Sequence, residues 1–147
     1  MKKWLDEFLS KFHKKYTKEL GFRKVRRTFS RDKGEYFERF NFQSSMSNVS
    51  GVENWKFYFN VGVEFKDLEP RKNWSLFPNT HWSDRLGIVL KTVPSVWEYN
   101  KNTDKDSLAK KLNEVILEAS QKISKEIEGL RMHYIEGKHL EIYFYNK

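Results

Sequence analysis

The sequence predicts an α+β domain: an antiparallel sheet of about five strands, with an N-terminal helix and a long C-terminal helix packed on one face. The strongest sign of the sheet is the segment Trp55–Phe65, in which apolar side chains alternate with mostly polar ones. Such alternation is typical of a strand with one face buried. Apolar residues recur at helical spacing in 4–20 and again in 103–128. These two segments are expected to form amphipathic helices that cover the sheet.

Length and composition favour a single domain over residues 1–147. No stretch rich in Pro, Gly or Ser divides the chain, and 38% hydrophobic residues suffice for a packed interior. A mean hydropathy of −0.81 argues against a membrane protein, and the charges of Asp6, Glu7 and Lys11 interrupt any signal-peptide core. The lack of cysteine excludes disulfides, thiol catalysis and cysteine-based zinc sites. We therefore expect a cytoplasmic protein.

Positive charge is concentrated at the front of the chain. The net charge is +8; residues 1–33 hold 12 Lys and Arg against 4 Asp and Glu, whereas residues 34–147 hold 16 of each. This asymmetry suggests an anionic partner, either nucleic acid, an acidic protein or a membrane surface. A basic patch of Lys24, Arg26 and Arg27 is the expected point of contact. The plainer interpretation is a well-solvated, lysine-rich helix.

The first half of the chain predicts a helix followed by a hairpin. The apolar stripe of the first helix runs from Trp4 to Leu20, and Gly21 suits a left-handed C-terminal cap. Phe22–Arg31 is then predicted as a strand, and Asp32-Lys33-Gly34 as a turn. Glu35–Ser44 is predicted to return as a second strand.

The second half contains a long loop, two short segments and a helix. The loop Lys66–Asp84 holds Trp74, His81 and Trp82, which either cap the edge of the core or form one wall of a pocket that stacks on a ligand. After the loop, Arg85–Leu90 is predicted to be a strand and Thr92–Tyr99 an extended segment. A helix is predicted at Thr103–Glu128, with Thr103 or Asp104 as its N-cap and Gly129 at its end. The tail at His139–Tyr145 is predicted to be an edge strand.

Several short motifs occur in an order that resembles a known family. They are Gly21-Phe22 after an amphipathic helix, Arg27-Thr28-Phe29-Ser30-Arg31, Asn41-Phe42-Gln43-Ser44, Phe59-Asn60-Val61-Gly62-Val63, and Arg85-Leu86-Gly87 before a long helix. In this order the chain resembles the bacterial family called domain of unknown function 4304, over residues 4–130. The resemblance implies the same α+β fold and a bacterial, intracellular setting. It implies no mechanism, and it leaves the tail 131–147 outside.

Catalytic, metal and cofactor motifs are not evident in the sequence. The four histidines lack metal-ligand spacing, and Gly62 and Gly87 are solitary glycines without the spacing of a phosphate-binding loop. Glu38, Glu64 and Asp84 are carboxylates that any acidic surface offers. We expect no catalytic residues, no metal and no cofactor, and lean against an enzyme.

One constellation of polar residues suggests a binding surface. If helices cover the face bearing the apolar residues of 55–65, the opposite face collects polar side chains from two neighbouring strands. They are Arg39, Asn41 and Gln43 from one strand and Lys56, Tyr58 and Asn60 from the other. Fixed donors beside an aromatic ring suit a protein or small anionic ligand. The alternatives are nucleic-acid binding through the basic patch and a plain solvated face held by cross-strand pairs.

Overall fold

One antiparallel sheet organises the fold. The computed structural model describes residues 1–69, 80–145 and 147. The strands are β1 (Arg23–Val25), β2 (Thr28–Asp32), β3 (Tyr36–Ser44), β4 (Trp55–Phe65), β5 (Trp82–Arg85) and β6 (Val96–Tyr99). They pair in the order β1-β2-β3-β4, and the far edge of β4 is shared between β5 and β6. The predicted antiparallel sheet is confirmed, with six strands among the described residues.

Two helices cover one face of this sheet. Helix α1 (Trp4–Phe12) continues into a π-helical turn at His13–Thr17, and α3 spans Lys105–Ile135. A short helix α2 (Leu86–Val89) follows β5, and a 3-10 turn lies at Leu140–Ile142. The Phe12 ring of α1 contacts Phe29 of β2, and Ser120 of α3 bonds to Glu38 of β3. The predicted α+β architecture, with the first and last helices on one face, is therefore confirmed. None of the helices among the described residues has the length and apolarity of a membrane span.

The covered face, which we call the core face, is built from aromatic rings. Phe40, Phe42, Phe57 and Phe59 are fully buried or nearly so, and the Phe42 and Phe59 ring centroids lie 4.5 Å apart. Burial of one such side chain contributes about 1.5–3 kcal/mol. Because this aromatic layer and the helices cover the core face, a ligand can reach the sheet only from the opposite face.

A charged cluster is also buried on the core face. Glu38 is fully buried and accepts hydrogen bonds from Arg31 Nε at 2.6 Å and from Ser120 Oγ at 2.7 Å. Arg31 Nη1 donates to the carbonyl of Leu20 at the end of the first helical segment. The cluster thus joins β2, β3, α3 and the chain after α1. Glu38, one of the carboxylates considered above for acid-base chemistry, is therefore part of a structural ion pair.

Four local predictions are corrected by the structure. The strand predicted over Phe22–Arg31 is two strands, because Arg26 takes a left-handed backbone (φ 55°) and turns the chain. The segment Arg85–Leu90 is the end of β5 followed by α2. Helix α3 runs through Gly129, where the lack of a side chain makes room for the Tyr143 ring. The predicted edge strand in the tail is wrong, since a 3-10 turn stands there and the Phe144 ring packs on Trp82.

Candidate functional site

The sheet face turned away from the helices, which we call the open face, carries the polar residues that the sequence grouped together. In the cross-strand register Asn41 lies opposite Asn60, and Asn60 lies opposite Arg85. Gln43 pairs with Tyr58 two residues further along the same strands. Because residues opposite one another in an antiparallel sheet point to the same side, these side chains meet in one row across β3, β4 and β5.

A hydrogen-bond network holds the centre of this row. Asn60 is fully buried although it faces away from the core, and its Nδ2 donates to Asn41 Oδ1 and Gln43 Oε1, both at 3.2 Å. Arg85 Nη1 donates to Asn60 Oδ1 at 2.6 Å and to Gln43 Oε1 at 3.0 Å. These two donors on the Gln43 oxygen restrict the orientation of its side-chain amide.

The aromatic rings of the open face are covered by cations. The Arg85 guanidinium lies 4.1 Å from the centroid of the Tyr58 ring. Arg39 and Lys66 lie 5.2 and 4.8 Å from the centroid of Phe37. Such cation–π contacts occupy the ring faces on which a nucleic-acid base would stack. As it stands, the open face offers donors and positive charge more readily than aromatic stacking.

Arg39 is held in place by its neighbours. Its Nη1 donates to Ser30 Oγ at 2.8 Å, and its Nη2 forms an ion pair with Glu64. Asn41 Nδ2 donates to Thr28 Oγ1 at 3.0 Å. These bonds extend the network onto β2, so that the open face is ordered from β2 to β5 before any ligand arrives.

The basic patch lies on the hairpin formed by β1 and β2, which we call the basic hairpin. Its strands pair from Arg23 with Ser30 to Val25 with Thr28, leaving Arg26 and Arg27 as the two-residue turn. Arg26 is exposed and has the one positive φ of a non-glycine residue in the described part of the chain. A left-handed backbone costs such a residue roughly 1–2 kcal/mol. The turn thus presents an arginine at a position that glycine would occupy more easily.

The basic hairpin and the open face border the same groove, which has a volume of about 960 Å³ and is open to solvent. Its lining combines the whole basic patch with half of the predicted ligand-binding set: Asp6, Lys24, Val25, Arg26, Arg27, Thr28, Ser30, Arg39, Asn41, Phe42, Gln43 and Ser44. The other half of that set, Lys56, Tyr58 and Asn60, does not line it. Asn60 acts behind the groove wall, through its bonds to Asn41 and Gln43.

A carboxylate of the protein itself is bound at the rim of the groove. Arg27 Nε donates to Asp6 Oδ1 at 2.7 Å, and Arg27 Nη2 donates to Oδ2 at 3.2 Å. The hydrogen bond from Arg27 is the main reason that the pKa of Asp6 lies below its usual range. This two-point contact is the geometry in which arginine recognises carboxylates. Arg27 is therefore positioned to hold a carboxylate at this place.

The predicted loop wall divides into described and undescribed residues. Trp74 lies outside the residues that the structure describes. His81 is buried and uses both ring nitrogens: Nδ1 accepts from the Phe65 N–H and Nε2 donates to the Leu68 carbonyl, each at 2.9 Å. Burial lowers the pKa of His81, which favours this neutral ring. Trp82 is buried against Phe144. Both described residues belong to the interior, away from the groove.

Several groove residues were absent from the sequence-based set. Thr28, Ser30 and Ser44 lie within the motifs quoted above, which assign them no role. Arg85 does not line the groove but bonds to Asn60 and Gln43, and the motif Arg85-Leu86-Gly87 gives no sign of that contact. Alternation along the Thr28–Asp32 strand was the available signal for Thr28 and Ser30. No local signal brings Asp6 to Arg27, because that contact joins residues 21 positions apart.

Comparison with known proteins gives a family. A family model described as a domain of unknown function, DUF4304, matches residues 13–126, and this range contains every groove residue except Asp6. No curated protein and no solved structure matches the chain. The match covers well over half of the sequence. The chain therefore belongs to the DUF4304 family.

Proposed function

We propose that this protein is a binding module that takes a carboxylate-rich ligand in the groove, best represented by an acidic segment of a partner protein. The main support for the proposal is that two sets of residues meet at one place in the structure. The basic patch and the Arg39-Asn41-Gln43 row line one groove.

The charges of the groove support an anionic ligand. Four cations line it, Lys24, Arg26, Arg27 and Arg39, against the single carboxylate of Asp6. Arg27 is engaged by Asp6 and Arg39 by Glu64, which leaves Lys24 and Arg26 as cations without an ion pair in the described part of the chain. Cations of this kind attract an incoming anion over distances of about a Debye length.

The donors of the groove support carboxylates in particular. The two-point contact between Arg27 and Asp6 is a working example of carboxylate binding at the rim. The fixed NH₂ group of Gln43 supplies a neutral donor that could meet a peptide carbonyl or a second carboxylate oxygen. A groove open to solvent suits an extended chain better than a compact small molecule, which a pocket usually encloses.

The proposal is tested by the affinity for a hexaglutamate peptide, measured by fluorescence anisotropy at low ionic strength. Replacing Lys24, Arg26 and Arg27 by Ala should weaken binding at least about tenfold, since each removes a charge from the groove. The matched control replaces Lys101, Lys110 and Lys111, three exposed lysines away from the groove, and so changes the net charge equally. Equal losses in the two triple variants would overturn the proposal, because attraction would then follow net charge alone.

A second candidate is nucleic-acid binding by the basic front of the chain. The excess of positive charge in residues 1–33 favours it. The cations over Phe37 and Tyr58 speak against base stacking on the open face. An oligothymidylate of the same charge as the peptide separates the two candidates. If the groove selects carboxylates, hexaglutamate binds more tightly than the oligonucleotide at equal salt; the reverse order supports the nucleic-acid candidate.

A further inference from the structure

A second cavity lies on the helical side of the molecule, away from the groove. It is a narrow slot of about 180 Å³ between α1 with its π-helical turn and the first turns of α3. Its lining residues are Glu7, Phe8, Lys11, Phe12, Lys15, Tyr16, Lys105, Asp106 and Ala109. It is smaller and more enclosed than the groove, and the two share no lining residue.

The floor of the slot is apolar. Phe8, Phe12 and Ala109 are all buried, and the Phe8 and Phe12 rings lie parallel with centroids 6.2 Å apart. Tyr16 is half-buried beside them, with its centroid 5.8 Å from that of Phe12. An apolar group placed on this floor is stabilised mainly because its own apolar surface leaves water.

The rim of the slot carries more positive than negative charge. Lys11, Lys15 and Lys105 stand against Glu7 and Asp106, a balance of three to two. Within the described residues none of these five forms an ion pair; Lys15 lies over the Tyr16 ring and Lys105 over the Trp4 ring. Long lysine side chains bury their stems on apolar surface and keep the ammonium group at the opening.

The π-helical turn supplies two of the residues that line the slot, Lys15 and Tyr16. This turn, His13–Thr17, widens the helix where Lys15 and Tyr16 face the slot, and the His13 Nδ1 to Thr17 Oγ1 hydrogen bond of 2.7 Å supports it from inside. Thr17 is fully buried. Single π-helical turns within helices are uncommon and are found frequently at functional sites.

We propose that the slot binds a small monocarboxylic acid with an aromatic or short aliphatic body. The body lies on Phe8, Phe12 and Ala109, and the carboxylate meets the lysines of the rim. The size agrees with this class of ligand, because an apolar cavity of about 150 Å³ holds a benzene molecule. Mixed polarity of floor and opening is the usual pattern of a small-molecule site.

Titration with benzoate, followed by the backbone amide signals of the full chain in two-dimensional NMR, tests the proposal. We expect saturable shifts at Phe12, Tyr16 and Ala109. Benzamide, which has the same shape without the charge, should bind at least about tenfold more weakly, because a charge-assisted hydrogen bond is lost. Shifts of equal size with both compounds, shifts confined to the groove or no saturable shift at these residues would overturn the proposal.

Two kinds of variant sharpen the result. Ala109→Leu fills the slot and should abolish benzoate binding, while Lys15→Gln with Lys105→Gln keeps the floor and should weaken binding about tenfold. Should Ala109→Leu disturb the amide spectrum as a whole, the glutamine pair carries the test, because its sites are exposed. The control pair Lys110→Gln with Lys111→Gln should bind benzoate normally; a loss as large as in the first pair would contradict recognition at the rim.

Discussion

The core face and the open face of the sheet are made from the same strands but are held together in different ways. On the core face, phenylalanine rings pack against one another and against the helices. On the open face, side chains are tied by hydrogen bonds and ion pairs across β2 to β5. Substitutions on the core face are costly, because removal of a ring leaves a cavity. The open face keeps donors in fixed positions beside solvent, as a binding surface requires.

The comparison predicts a gradient of mutational effects. Stability should fall most for changes on the core face, and binding should change most for changes on the open face.

Phe42→Ala tests the core face. Phe42 is almost fully buried and contacts three other phenylalanine rings. Its truncation should lower the free energy of unfolding by about 3–5 kcal/mol, because lost burial and a new cavity add together. Urea denaturation measures the change. A loss below that of the open-face variants would contradict the division of roles between the two faces.

Asn60→Ala tests the centre of the polar network. The substitution should cost about 1–3 kcal/mol, since Gln43, Asn41 and Arg85 each lose a partner next to a buried position. It should also weaken hexaglutamate binding, because the Gln43 amide is no longer fixed. Urea denaturation and peptide anisotropy on the same sample separate the two effects. Unchanged stability would show that the network adds little to the fold.

Arg39→Ala tests the open face as a binding surface. The Arg39 and Glu64 side chains are only 18% and 23% exposed, so the free energy of unfolding should fall by about 1–2 kcal/mol, less than for the Phe42 truncation. Hexaglutamate affinity should fall about tenfold, because one groove cation is lost. Arg23→Ala is the control: Arg23 is an arginine on β1 of the neighbouring basic hairpin, is exposed and does not line the groove. An effect on stability alone would make Arg39 a structural residue.

Asp6→Asn tests the carboxylate already at the rim. Its pair with Arg27 is partly exposed, so its loss should change stability by less than about 1 kcal/mol. Release of Arg27 should raise hexaglutamate affinity by a few fold, up to roughly fivefold, which is the free energy of such a pair expressed as binding. Weaker binding by the Asn variant would contradict competition between Asp6 and the ligand.

Sequence reasoning succeeded where a pattern is local. Alternation along Trp55–Phe65 and Tyr36–Ser44 predicted both strands and which of their residues share a face. The N-cap of the long helix was also predictable from local sequence: Asp104 was one of the two expected caps, and its side chain accepts a hydrogen bond from the Ser107 N–H. These features depend on residues within a few positions of one another.

Sequence reasoning failed where the deciding contact is distant. Gly129 was predicted to end a helix, whereas in the structure it lies within α3 and leaves room for the Tyr143 side chain. Gly87 similarly has a packing role: a side chain there would meet the Val93 carbonyl at 3.0 Å and crowd Ser95. The order of strands let Lys24 or Arg26 be expected beside Arg39, Asn41 and Gln43, but the turn at Arg26 that folds β1 back beside β2 was not evident from the sequence.

The central claim is that the groove is the place where an anionic ligand binds. Its most direct test is an amide NMR titration of the full chain with hexaglutamate, which locates binding residue by residue. The account predicts saturable shifts concentrated in 24–28 and 39–44, with α3 unaffected. Shifts spread over the lysines of α1 and α3 without saturation, or a focus elsewhere on the molecule, would contradict it.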